Sequence, residues 1–195
     1  MIEKQEIYKA LDFMNQHWNF QNNVQDTNTK FIYHLHSVDD LLKICQEKQI
    51  DKNYALHRWY NFNCAKWHEF LFCQNPEVRK EEDNFHKTID FYINNVPFDL
   101  KASPFPKKMR EKLDLKKRKD KNKLILWFYQ NQSKQGRQHF ENRLFIVCNN
   151  LKSKSNFELI QQKIRTFIDY SNQNGFNKIQ VNEQEICSDI IFINN

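Results

Sequence analysis

The chain has 195 residues, 39% hydrophobic and 14% aromatic, enough for a folded core, and 30 Lys and Arg against 24 Asp and Glu leave a formal charge of +6. With only 2 glycines, it has no glycine-rich phosphate loop of the P-loop or dinucleotide-binding kind. Five widely spaced cysteines form no CxxC pair and read as reduced thiols of a cytoplasmic protein, and the absence of any run of about 18 apolar residues predicts no membrane span.

Residues 2–17 have helical spacing. Their apolar positions are interrupted by charges, the pattern of an amphipathic helix rather than a signal peptide. Residues 30–36 alternate like a short strand. A helix over 38–48 follows, with Ser37 as its cap and Asp39 and Asp40 in its first turn. A third helix over about 51–73 contains RWYNFNCAKWHEFLFC. Two strand-like runs flank Asn94-Asn95, and Pro104-Phe105-Pro106 closes the second, because proline cannot donate to a ladder. Residues 107–123 carry ten Lys or Arg and read as a solvated helix or loop.

Leu124–Tyr129 and Leu144–Cys148 read as apolar strands joined by the polar segment NQSKQGRQHFENR. Ser155-Asn156-Phe157-Glu158 is a capping-box pattern opening a helix to about residue 172. Gly175 stops that helix, and Phe176–Val181 and Asp189–Ile193 read as strands. This order predicts an α/β or α+β fold, a mixed central β-sheet flanked by helices. The simplest reading is a single domain over 1–195, with residues 1–50 a helical N-terminal part of open role.

The chemistry concentrates between His86 and Ser103. Asparagine tolerates positive φ, so Asn94-Asn95 predicts a two-residue hairpin turn. That turn pairs 93 with 96, 91 with 98, 90 with 99 and 89 with 100. Ile89, Phe91, Ile93, Val96, Phe98 and Leu100 then share one apolar face. The other face sets Asp90 opposite Asp99, with Lys101 two residues further along. Like charges directly opposed in a sheet are destabilising, and a divalent cation between the carboxylates would offset the repulsion. Mg²⁺ is held in this way, by one or two carboxylates with waters and substrate phosphate.

Ile89-Asp90, a nine-residue step, then Asp99-Leu100-Lys101 resembles the PD-(D/E)XK nuclease superfamily, the restriction-endonuclease-like fold. The likeness covers about residues 58–106, with Ile89 where the family's pattern has proline and Asp99 where it more often has Glu. It implies a Mg²⁺- or Mn²⁺-dependent endonuclease acting on DNA, with Asp90 and Asp99 as metal ligands and Lys101 assisting the attacking water. It also implies an acid from the preceding helix, which Glu69 matches. Glu81, Glu82 and Asp83 compete for that third position. A homodimer would place one such site on each DNA strand.

Lys107, Lys108 and Arg110, just past the lysine motif, are candidate contacts to the nucleic-acid backbone, and Lys87, beside His86, sits at the mouth of the proposed site. Gln135 and Arg137 on the later loop are candidates for groove contact. His68-Glu69 invites a zinc-peptidase reading, but HExxH needs histidine at 72, where the chain has Phe72. His34 and His36 would share a strand face with no third ligand nearby. Trp59, Trp67, Trp127 and Phe128 read as core. The alternative to an enzyme is a non-catalytic nucleic-acid-binding module on the same scaffold.

Overall fold

The computed structural model describes residues 1–15, 22–83, 86, 88–131 and 140–194. Within them the protein is mixed α/β, with one six-stranded mixed sheet and helices on its faces. The chain divides into two compact units, Met1–Trp67 and His68–Asn195.

The first unit is helical. Helix α1 (Lys4–Phe13) is shorter than its sequence pattern, and α2 (Asn23–Asn28), α3 (Val38–Glu47) and the first part of α4 (Lys52–Cys73) follow. Ser37 caps α3 as expected, accepting the Asp40 N–H at 3.2 Å. Residues Lys30–His34 form a 3-10 helix instead of the expected strand, which removes the shared strand face of His34 and His36. Only Ile32 of that segment is buried, so there is no apolar face for a sheet to cover. Polar contacts tie the unit together: Arg58 Nε lies 3.1 Å from Asp26 Oδ1, Trp59 Nε1 donates to the Leu35 carbonyl, and Trp67 Nε1 donates to the Ile2 carbonyl.

The second unit holds the sheet, in the order β1-β2-β3-β4-β6-β5. Strands β1 (Val78–Lys80), β2 (Phe91–Ile93) and β3 (Val96–Pro104) form an antiparallel meander. Asn94 and Asn95 make the two-residue turn, with φ of 49° and 65°, and Ile93 pairs with Val96. β3 stops at Pro104, as read from the sequence. It then pairs in parallel with β4 (Arg143–Cys148), which pairs in parallel with β6 (Gln184–Ile193). Parallel neighbours need long crossovers. Here they are the segment carrying α5 (Lys107–Arg110) and α6 (Arg118–Asn131), and the segment carrying α7 (Leu151–Lys154) and α8 (Phe157–Asn174). β5 (Lys178–Val181) closes the edge by a second two-residue turn at Asn182-Glu183.

Two expectations are corrected here. Leu124–Tyr129 is not a strand but the C-terminal half of α6. Its buried side chains, Leu124, Ile125, Phe128 and Tyr129, recur at helical spacing and pack on Phe145, Val147 and Ile190 of the sheet. The cap of α8 is Asn156 rather than Ser155, because Asn156 Oδ1 accepts the Leu159 N–H at 3.2 Å and the helix starts at Phe157.

Alternation gives the sheet two different faces. Phe145, Val147 and Ile190 meet α6. On the other face Phe91 stacks on Phe72 of α4, with centroids 4.6 Å apart, and Phe98 meets Phe176 edge-on at 5.0 Å.

Replacing Asn95 by Val puts a β-branched side chain at φ of 65°, which costs about 1–2 kcal/mol. Urea unfolding of Asn95→Val is expected to show that loss and Asn95→Gly none. Equal stability of the two variants would contradict the turn geometry.

Candidate active site

The four residues singled out by the sequence all lie in the second unit; Asp90, Asp99 and Lys101 sit at the open end of the β2–β3 hairpin, and Glu69 on α4 pairs with Lys80 of β1. The ladder between β2 and β3 ends two pairs earlier than the simple register, at Phe91↔Phe98. The Asp90 N–H donates to the Phe98 carbonyl, so Asp90 and Phe91 both approach one residue of β3. This is the count of a β-bulge, a device that re-aims a side chain. The Asp90 carboxylate therefore does not stand opposite Asp99, as strict pairing required. It turns onto the β3 backbone, where Oδ2 accepts the Leu100 N–H at 2.6 Å. Likewise Ile89 and Leu100 lie outside the ladder. Ahead of the bulge, His86 Nδ1 accepts the Ile89 N–H at 3.1 Å.

Burial pushes the Asp90 carboxyl above its ordinary pKa. The Leu100 N–H and the Lys101 charge oppose that rise, while the Asp99 and Glu69 carboxylates add to it. The charges of Glu69, Asp99 and Lys101 are thus all close enough to act on Asp90.

Asp99 is deeply buried and doubly paired. Its Oδ1 takes the Lys101 ammonium at 2.5 Å and its Oδ2 lies 2.7 Å from Arg143 Nε. Lys101 is 42% exposed along its side chain, Arg143 only 9%. The sequence reading missed Arg143, which it left at the end of a polar loop. Parallel pairing places it beside Asp99, and in turn beside Ser188 of β6, so Asp99, Arg143 and Ser188 form one row across three strands. The Ser188 hydroxyl donates to the Arg143 carbonyl at 2.8 Å. The guanidinium lies over the Tyr129 ring, 5.3 Å from its centroid. Burial drives the Tyr129 phenol upward, which keeps it neutral, and its hydroxyl donates to the Glu141 carbonyl.

Glu69, in the last turn of α4, has its own partner in Lys80 of β1 at 3.2 Å. Its competitor Glu81 accepts the Tyr92 hydroxyl at 2.6 Å. His68, next to Glu69, is fully buried; burial takes its pKa down to about 3, and its Nε2 contacts the Lys154 carbonyl at 2.8 Å, a neutral packing role. Among the described residues, no three His, Cys, Asp or Glu side chains form a group that could hold a metal ion. A Mg²⁺ site needs only one or two carboxylates. Asp90 retains the oxygen not given to Leu100, and the partner of Asp99 Oδ1 is a half-exposed lysine.

Lys107, Lys108 and Arg110 form the exposed single turn α5. Arg110 Nη2 is anchored on the Asn149 carbonyl at 2.9 Å. Lys87, Gln135 and Arg137 lie outside the described residues. Among the described residues no helix is long and apolar enough to cross a membrane.

Comparison with protein-family models, curated proteins and solved structures finds no match to this chain.

A carboxyl with a raised folded-state pKa keeps a proton that the unfolded chain has already released. Its contribution to stability is therefore complete below the ordinary value of 3.8 and is lost as pH rises through the folded value. Asp90→Asn is expected to gain stability relative to the parent between pH 4 and pH 7, read from urea midpoints at both. A parent that instead gains on the variant over that interval would mean that the Leu100 N–H and Lys101 outweigh burial.

Proposed function

We propose that this chain is a Mg²⁺- or Mn²⁺-dependent endonuclease that hydrolyses DNA phosphodiester bonds, on the restriction-endonuclease-like scaffold its hairpin motif resembles. The observation that carries the reading is the placement of Asp90, Asp99 and Lys101 at the open end of β2–β3, with Asp90 re-aimed by a bulge onto the Leu100 N–H and Lys101 on Asp99. Buried, mutually repelling carboxylates are a cost to folding, and a bound cation would relieve it.

Asp90 and Asp99 would hold the metal, which as a Lewis acid would stabilise charge on the scissile phosphate. Asp99 keeps Arg143 as its buried partner, so its charge stays fixed in place. Lys101, released from Asp99 Oδ1, is free to orient the attacking water or meet the phosphate. Glu69, paired with Lys80, contributes through its charge. Lys107, Lys108 and Arg110 offer cations to the DNA backbone a few residues beyond the lysine motif. One such site handles one strand, so cleavage of both strands calls for a homodimer.

A second reading has its own support. Both oxygens of Asp99 are already neutralised by Lys101 and Arg143, which suits a non-catalytic nucleic-acid-binding module.

Supercoiled plasmid incubated with the protein separates the two. The nuclease reading expects nicked or linear DNA with Mg²⁺ or Mn²⁺ and none with EDTA. Lys101→Ala, a half-exposed position, and Asp90→Asn should each lower the rate by about a hundredfold or more. Binding of DNA with no metal-dependent cleavage would favour the module.

A further inference from the structure

β5 covers only the first part of β6: it pairs through Lys178↔Cys187, so among the described residues the stretch from Asp189 to Ile193 has no strand on its outer side. Along that edge runs an open groove of about 910 Å³. One wall is the segment 110–118 together with Lys121 of α6; the other is the stripe Lys163, Thr166, Phe167, Tyr170 and Asn174 of α8. These positions recur every three or four residues and flank the buried stripe Phe157, Ile160, Ile164 and Ile168.

The groove is basic. Arg110, Lys116, Arg118, Lys121 and Lys163 line it against two acids, Asp114 and Asp189. Asp189 is already neutralised by Lys121 at 2.8 Å, and Asp114 faces Lys117 at 3.8 Å. Lys116 and Lys163 are exposed and make no ion pair among the described residues. Aromatic rings accompany the charge: Tyr170 is 58% exposed, and Phe167, Phe176 and Phe192 are partly so.

An acidic peptide adding itself as a strand would need the outward amides of β6. Two of those donors are already occupied. The Ile190 N–H is bonded by Asp189 Oδ1 at 2.7 Å, and the Ser188 N–H and carbonyl are taken by the Asn177 carbonyl and side chain. What the groove offers instead is cations for phosphates and rings for bases, the combination that binds single-stranded nucleic acid without reading its sequence.

We propose that the groove between residues 110–118, α8 and the outer edge of β6 binds a single-stranded nucleic acid, its phosphates on Lys116, Arg118 and Lys163 and a base on Tyr170. The groove lies two strands away from β3, roughly 10 Å across the sheet, so it is a separate surface from the Asp90–Asp99 site. It shares with the proposed function the class of partner and the cation Arg110 at its rim.

The test is fluorescence anisotropy of the full chain with a labelled 20-nucleotide oligothymidylate in EDTA, where cleavage plays no part. Tyr170→Ala is expected to weaken binding roughly tenfold. The pair Lys116→Glu with Lys163→Glu should weaken it further and lower the slope of log affinity against log salt by about 1–2. Lys43→Glu, which changes charge on exposed α3, should stay within about twofold of the parent.

Binding that is absent, or that falls equally for the Lys43 control, overturns the proposal. So does displacement of the oligonucleotide from the groove by poly-glutamate at equal charge concentration, which would assign the groove to an acidic protein. Plasmid cleavage with unaffected groove variants would sink the groove alone. Groove-dependent binding without cleavage would sink the nuclease reading alone.

Discussion

The ion-paired carboxylate of Asp99 is the constraint around which the second unit is arranged. A carboxylate buried beside a sheet costs several kcal/mol unless cations and hydrogen bonds replace its water. Arg143 and Lys101 do so from both sides, at 2.7 and 2.5 Å. The arrangement requires β4 to lie parallel to β3 in the register Asp99↔Arg143. It requires α6 to cover that face, so that the Tyr129 ring backs the guanidinium. It also leaves Asp90 with no ion pair among the described residues, which is why the bulge and the Leu100 N–H matter.

The two aspartates therefore solve the same electrostatic problem differently. Asp99 is neutralised by charge, Asp90 by one backbone donor and by a tendency to hold its proton. Removing Lys101 from Asp99 is cheap, because the lysine is half-exposed and water can take its place. Removing Arg143 would strand a buried carboxylate, a loss on the order of 3–5 kcal/mol. That asymmetry separates a movable cation from a fixed one, which is what a site exchanging lysine for a metal would need.

Much of this was legible in the chain. Asn94-Asn95 gave away its turn because two asparagines between alternating apolar runs have few other conformations to serve. Asp90, Asp99 and Lys101 were singled out through that turn and its apolar face, whereas Glu69 entered only through the resemblance to a nuclease family. The register failed at its last two pairs, because a bulge depends on hydrogen bonds that no side-chain pattern encodes. LILWFY, read as a strand, is a helix. A short apolar run has no period of its own, and the decisive signal was the charged first turns of Arg118–Asn131 upstream. Arg143 was invisible for a different reason: its partner lies across a parallel pairing 44 residues back, and local spacing carries no trace of it. Ser155 lost the cap to Asn156, an equally good capping residue one position along.

The central claim is that Asp90 and Asp99 form a divalent-cation site guarded by Lys101. Calorimetric titration of the protein with Mn²⁺ tests it without any nucleic acid. The account predicts one binding event, lost in Asp90→Asn and tightened in Lys101→Met, where the competing ammonium is gone. Equal Mn²⁺ uptake by the parent and Asp90→Asn, or weaker uptake by Lys101→Met, would contradict it.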